Sequence, residues 1–264
     1  MNKAAGAVCL LWLGFGLAAP LFDSAAVMID LGRILEAPRV ANWCGQDDLG
    51  RSVAARLFVG ARLSLGIACG AVLTSAVLGT LIGAVAGWFG GIPDLLIGRV
   101  VEVFLAFPGI LLAIALAGLM GPGAGNVTLA LVAVGWVGFA RLARAQVLAL
   151  RQREHLMVAR ALGTPLPRQL ARHVLPLMAG PLLVEATFAL AAVIVAEAGL
   201  SFLGLGVQPP APSWGAMIRD GMRYLLIAPH LVLVPCIALM SLVLAVNALA
   251  DGLRERLAPS LRHG

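Results

Sequence analysis

Arg151-Gln-Arg-Glu-His-Leu-Met-Val-Ala-Arg-Ala-Leu-Gly-Thr-Pro-Leu-Pro-Arg-Gln-Leu-Ala-Arg-His-Val-Leu-Pro176 is an arginine-rich island between two apolar runs, and the rest of the chain is organised around it. Leu156, Ala159 and Leu162 recur at three-residue spacing and share one helix face, while Arg153 and Arg160 point elsewhere. Gly163 suits a helix stop. Leu166, Leu170 and Val174 recur at four-residue spacing on a second piece, with Arg168 and Arg172 on another face and Pro176 limiting its run. The pattern predicts a knuckle of two short helices hinged at Gly163, with an apolar ridge and a basic flank. Such a knuckle either lies on lipid headgroups or docks a soluble partner, and its pattern leaves both open.

Composition sets the class. Of the 264 residues, 61% are hydrophobic and 12% charged, against about 45–50% and about 25% in soluble domains. With a mean hydropathy of +0.97, the chain is expected to be an integral membrane protein. The net charge of +6 comes largely from arginine. Seven arginines fall between Arg141 and Arg172 with Glu154 the only acid among them, so a membrane setting is favoured over nucleic acid, and that segment over the cytoplasmic face. The four cysteines and four histidines are scattered. Neither a disulfide framework nor a metal site is expected from them.

Six spans account for the apolar runs. Residues 1–22 hold the first, Ala4 to Leu21, for which Gly16-Leu17-Ala18 offers signal cleavage as the alternative to retention. Residues 23–61 form a polar segment with nearly balanced charge, expected outside. The core, 62–251, begins with a charge-free run from Leu63 to Pro93 whose Gly70, Gly79, Gly83 and Gly87 give a small-residue packing face. Trp88 to Asp94 is expected to be a turn. A third span, Leu95 to Leu119, carries Arg99 and Glu102 three apart and is kinked or interrupted at Phe107-Pro108; a fourth runs from Val127 to Leu148. The fifth, from Gly180-Pro181 to Leu203, holds Glu185 and Glu197, too far apart along a helix to form one carboxylate pair. Acids inside spans are functional candidates, so Glu102, Glu185 and Glu197 are taken as substrate-pathway residues. Trp214 joins them, in a Gly/Pro-broken stretch near the expected outer interface. The sixth span covers Leu231 to Leu249, and 252–264 is a cytoplasmic tail. Both termini then lie inside.

Val158-Ala159, Gly163 and Leu175-Pro176 resemble the coupling loop of ABC importer permeases, with Met157 where that family usually has a glutamate. Gly45 to Ser52, then Arg56 and Gly60-Ala61-Arg62-Leu63-Ser64-Leu65, are similar to a signature of the peptide and nickel branch. Gln46, Ser52 and Ala55 depart from it. Ala198 to Gly215 is a close match to the same branch, and Asn247, Asp251-Gly252-Leu253-Arg254 and Pro259 resemble its ending. The resemblance implies an all-α, six-helix permease of the type I importer fold in the inner membrane. It further implies a second related permease, two ATPase subunits and an outer solute-binding protein as partners. Docking to the ATPases falls on Leu156, Met157, Ala159, Arg160, Leu162, Gly163, Leu166, Leu170, Leu175 and Pro176. Peptides are the expected substrate, with nickel as the alternative that the scarcity of histidine in the spans disfavours.

Lys3 is the only lysine, so this chain has no G-x-x-x-x-G-K-[ST] phosphate loop. ATP and magnesium therefore belong to partner subunits, and no cofactor is expected here. A stand-alone secondary transporter would use the buried acids for coupling ions but leaves the knuckle without a task. A membrane enzyme lacks a catalytic constellation in this sequence.

Overall fold

The computed structural model describes residues 3–40, 42–154, 156, 158 and 164–257. Its elements are α1 (Lys3–Ala18), α2 (Asp23–Val27), α3 (Val53–Phe89), α4 (Gly91–Leu105), α5 (Gly109–Met120), α6 (Ala124–Leu150), α7 (Leu166–Gln169), α8 (Leu175–Phe202), α9 (Trp214–Gly221) and α10 (His230–Leu257). Among the described residues, five helical stretches are long and apolar enough to cross a membrane, and the bent pair α4–α5 makes a sixth if counted as one span.

The longest helix starts earlier than the apolar run implies. Ser52 caps α3, its hydroxyl accepting from the Ala55 N–H at 3.4 Å, so residues 53–61 belong to the helix rather than to the polar segment. Its 37 residues reach about 55 Å at about 1.5 Å per residue, longer than a hydrocarbon core of about 30 Å. The helix ends at Gly90, whose φ of +63° only glycine adopts readily, and α4 begins at the next residue. The turn expected over 88–94 is thus a single-residue break. At Phe107-Pro108 the interruption is sharp, and the axes of α4 and α5 differ by 87°. Pro108 has no N–H to offer and disfavours helical geometry at Phe107.

Pro176 was expected to stop the second knuckle helix, and it does not. Leu170–Val174 forms a π turn in which the Leu175 N–H donates to the Leu170 carbonyl, and α8 follows directly. Pro176 then occupies the first turn of α8, where a missing N–H costs little. Pro181 lies inside α8 rather than at its start.

The glycine stripe on α3 brings α6 close. A Cβ at Gly87 would meet the Arg144 carbonyl at 2.8 Å, and one at Gly79 or Gly83 would press on the Trp136 or Ala140 carbonyl. Helix α1 packs on α3 and α10 through Trp12, whose indole N–H donates to the Ser241 hydroxyl at 3.0 Å. Trp214, at the start of α9, is fully buried in the same core. Its indole N–H donates to the Leu57 carbonyl at 3.0 Å and its ring stands edge-on to Trp12 at 5.0 Å.

Candidate functional site

Helix α8 is the least enclosed of the long helices, and two neighbouring open cavities run along it. The larger, about 730 Å³, lies between α8, α5, α6 and α10 and is almost wholly apolar, with Asn247 its one amide. The smaller, about 380 Å³, is bounded by Leu142, Val184, Glu185, Phe188, Arg254 and Leu257. Phe188 lines both. Together they form a groove that changes from apolar to charged toward the end of the bundle where the knuckle enters α8.

Of the four pathway candidates, the structure brings only Glu185 to this groove. Glu102 is exposed on α4, paired with Arg99 at 2.9 Å, in a separate cleft with Asp94 and Arg144. Glu197 is fully buried; the Ser201 hydroxyl donates to its Oε1 at 2.7 Å, and it lines neither cavity. Trp214 is a core anchor, not an interfacial or pathway residue, because its indole is consumed by packing and by the Leu57 bond.

In the knuckle, Met157, Ala159, Arg160, Leu162 and Gly163 lie outside the described residues, as does the side chain of Leu166. Leu156 and Val174 are buried, and Leu170 packs beside them against Val147, Leu150 and Met178. The described part of the apolar ridge, Leu156, Leu170 and Val174, therefore faces its own bundle, and Leu156 is unavailable as contact surface. Outward stand Val158, Leu175, Pro176 and the charged Arg153, Glu154, Arg168 and Arg172. Arg151 fastens the base of the knuckle by donating from Nη1 to the Gly87 carbonyl at 3.1 Å, a cation at the C-terminal end of α3. Arg144 makes a two-pronged ion pair with Asp94, with Nη2 to Oδ2 at 2.8 Å, tying α4 to α6.

Residues 79–263 match the family described as the binding-protein-dependent transport system inner membrane component. The chain belongs to that family. The permease is 40% identical over 245 residues to the dipeptide transport system permease protein DppC of Alkalihalophilus pseudofirmus, a match covering 92% of this chain and 81% of that protein. It is 41% identical over 233 residues to the glutathione transport system permease protein GsiD of Pectobacterium atrosepticum, covering 88% and 77%. The GsiD protein of Escherichia coli O157:H7 matches with the same identity and coverage. In fold it resembles a chain of the MetNI methionine ABC transporter in its inward facing conformations, with a TM-score of 0.59 and 18% identity over 75% of this chain and 94% of that one. The protein is thus a multi-pass inner-membrane permease of an ABC importer.

Sequence reading missed the permease's main polar anchor. Asp48 reaches Arg51 only through a long, peripheral contact of 3.4 Å. Asp47 is the centre: its carboxylate accepts from the backbone N–H groups of Leu49 and Arg51, from Arg51 Nε at 2.7 Å, and faces Arg56 Nε at 3.3 Å. Arg56 also donates to the Ala26 carbonyl, so one buried network joins α2, the 28–52 segment and α3. The i,i+4 spacing of Asp47 and Arg51 was a usable signal; the link to Arg56 was not. Arg254, assigned to the tail, turns out to line the smaller cavity.

Proposed function

We propose that this permease forms one half of the membrane pathway for di- and oligopeptides, paired with a second, related permease. An outer binding protein delivers the substrate, and two ATPase subunits dock on the 151–176 knuckle from the cytoplasmic side, where both termini lie. ATP and magnesium are held by the ATPases and this chain carries no cofactor. The observation that carries the substrate reading is the identity of about two residues in five to relatives named as dipeptide and glutathione permeases. Glutathione is itself a tripeptide, so one substrate class embraces both names.

The lateral opening of the α8 groove fits a pathway whose missing wall is another subunit. Coupling follows from continuity. Helical backbone runs from α7 through the π turn into α8, so a push on the knuckle is transmitted to the helix that lines the groove. Rocking α8 against the rigid α3–α6 pair would alternate access without breaking a hydrogen-bond ladder.

Uptake by the full complex reconstituted in liposomes tests this. ATP-dependent and binding-protein-dependent accumulation of a labelled dipeptide is expected. Accumulation of nickel in its place, unaffected by excess peptide, would overturn the substrate assignment.

A further inference from the structure

Glu185 and Arg254 line the same small cavity from α8 and α10, yet they do not form an ion pair. Among the described residues neither side chain has a hydrogen-bond or ion-pair partner. Their position follows from antiparallel packing: Leu257 of α10 abuts Gly180 of α8, and further in come Arg254, about one turn along α10, and Glu185, about one and a half turns along α8. Gly138 of α6 leaves the space that the carboxylate needs, because a Cβ there would lie 2.8 Å from Glu185 Oε1. Glu185 is half-buried and Arg254 exposed at the cavity's rim, so neither charge is spent on the other and both stand free to meet the opposite charges of a bound ligand. The cavity volume of about 380 Å³ falls within the range of small-molecule sites, about 300–1,000 Å³.

We propose that this cavity is a binding site for a small zwitterion, with its ammonium group at Glu185, its carboxylate at Arg254 and Phe188 dividing it from the larger apolar cavity. A free dipeptide has that charge pattern, and the choice of a peptide as ligand rests on the function proposed above. The site lies at the knuckle end of α8, so it would hold substrate on the exit side of Phe188.

The test is equilibrium dialysis of labelled Ala-Ala, N-acetyl-Ala-Ala and Ala-Ala-amide with the solubilised permease–ATPase complex. Glu185→Gln is expected to weaken Ala-Ala about tenfold, the loss of one charge-assisted contact, and to leave N-acetyl-Ala-Ala unchanged. Arg254→Gln is expected to weaken Ala-Ala similarly and to leave Ala-Ala-amide unchanged. Equal losses for all three peptides, or no loss for any, would overturn the site. So would release of the ATPases from either variant, which would assign the charges to subunit contacts. If the wild-type complex imports no peptide but binds Ala-Ala with both charge dependences, the substrate reading falls and the site stands. If Ala-Ala does not bind the wild-type complex, the site falls even where import persists.

Discussion

At Asp47 a single carboxylate, 11% exposed, answers two backbone N–H groups and the guanidinium groups of Arg51 and Arg56, themselves 11% and 6% exposed. Removing it would leave two buried cations facing each other with only the long contact from Asp48 to Arg51 close by, a defect that costs about 3–5 kcal/mol in comparable buried pairs. Asp48, its neighbour, touches only the far edge of Arg51 and is three times as exposed, so its loss should cost no more than about 1 kcal/mol. Asp47→Ala is therefore expected to lower the thermal unfolding midpoint of the purified permease far more than Asp48→Ala; equal midpoints would refute the assignment of Asp47 as the anchor. Both aspartates looked alike in the sequence because the decisive partner, Arg56, is supplied by the next element. The same limit applied to Trp214, whose Gly/Pro-rich surroundings read as an interface while its partners, Leu57 and Trp12, lie 157 and 202 positions away. Residue type and local spacing identify charged and aromatic candidates; which of them are spent on holding the fold depends on contacts that only the folded chain creates.

Helix identity was legible wherever apolar length decided it, and helix ends were not. The charge-free run from Leu63 concealed the first turns of α3 because Arg56 and Arg62 broke it; each finds its acid in the preceding segment, Asp47 for one and Asp23, at 3.0 Å, for the other. The break at Phe107-Pro108 could be read from proline chemistry, but its 87° angle could not, being set by how α4 and α5 pack. Pro176 was misread because a π turn absorbs the change of register that an α-helix could not. Of the glycine stripe, Gly79, Gly83 and Gly87 form the expected packing face while Gly70 has open space where a Cβ would go, and the stripe yields a direct comparison. Gly83 sits against the Ala140 backbone, whereas Gly66 on the same helix has open space where a Cβ would go. Gly83→Leu forces α3 and α6 apart and should cost about 1–3 kcal/mol or prevent folding. Gly66→Ala adds helix propensity and should be neutral or stabilising by up to about 1 kcal/mol. Similar unfolding midpoints for the two variants would mean that the close approach of α3 and α6 does not support the bundle.

For the molecule as a whole, the division of labour is between a glycine-sealed α3–α6 pair and the more open α8, whose knuckle-side end is gripped by α10 and whose backbone runs back into the knuckle. Periodicity predicts an apolar ridge on the knuckle but not which way it faces; its described members, Leu156, Leu170 and Val174, turn inward, and that orientation changes the docking prediction. Leu156 is enclosed by Val147, Leu150, Val174 and Met178, so Leu156→Asp should unfold the knuckle itself and report nothing specific about the ATPases. Val158, 56% exposed, is the better probe. Burying one such side chain in an interface contributes about 1.5 kcal/mol, so Val158→Asp should weaken ATPase retention about tenfold or more while membrane insertion and the unfolding midpoint stay near wild type. Retention is read as the ratio of ATPase to permease after affinity purification, over a range of concentrations. An unchanged ratio with Val158→Asp would move the contact to the basic flank, where Arg168 and Arg172 stand outward; charge reversal there, Arg172→Glu, would then have to release the ATPases in a salt-sensitive way. If neither substitution released them, the knuckle would have to be read as an element lying on lipid headgroups, and the lever connecting it to α8 would lose its driver.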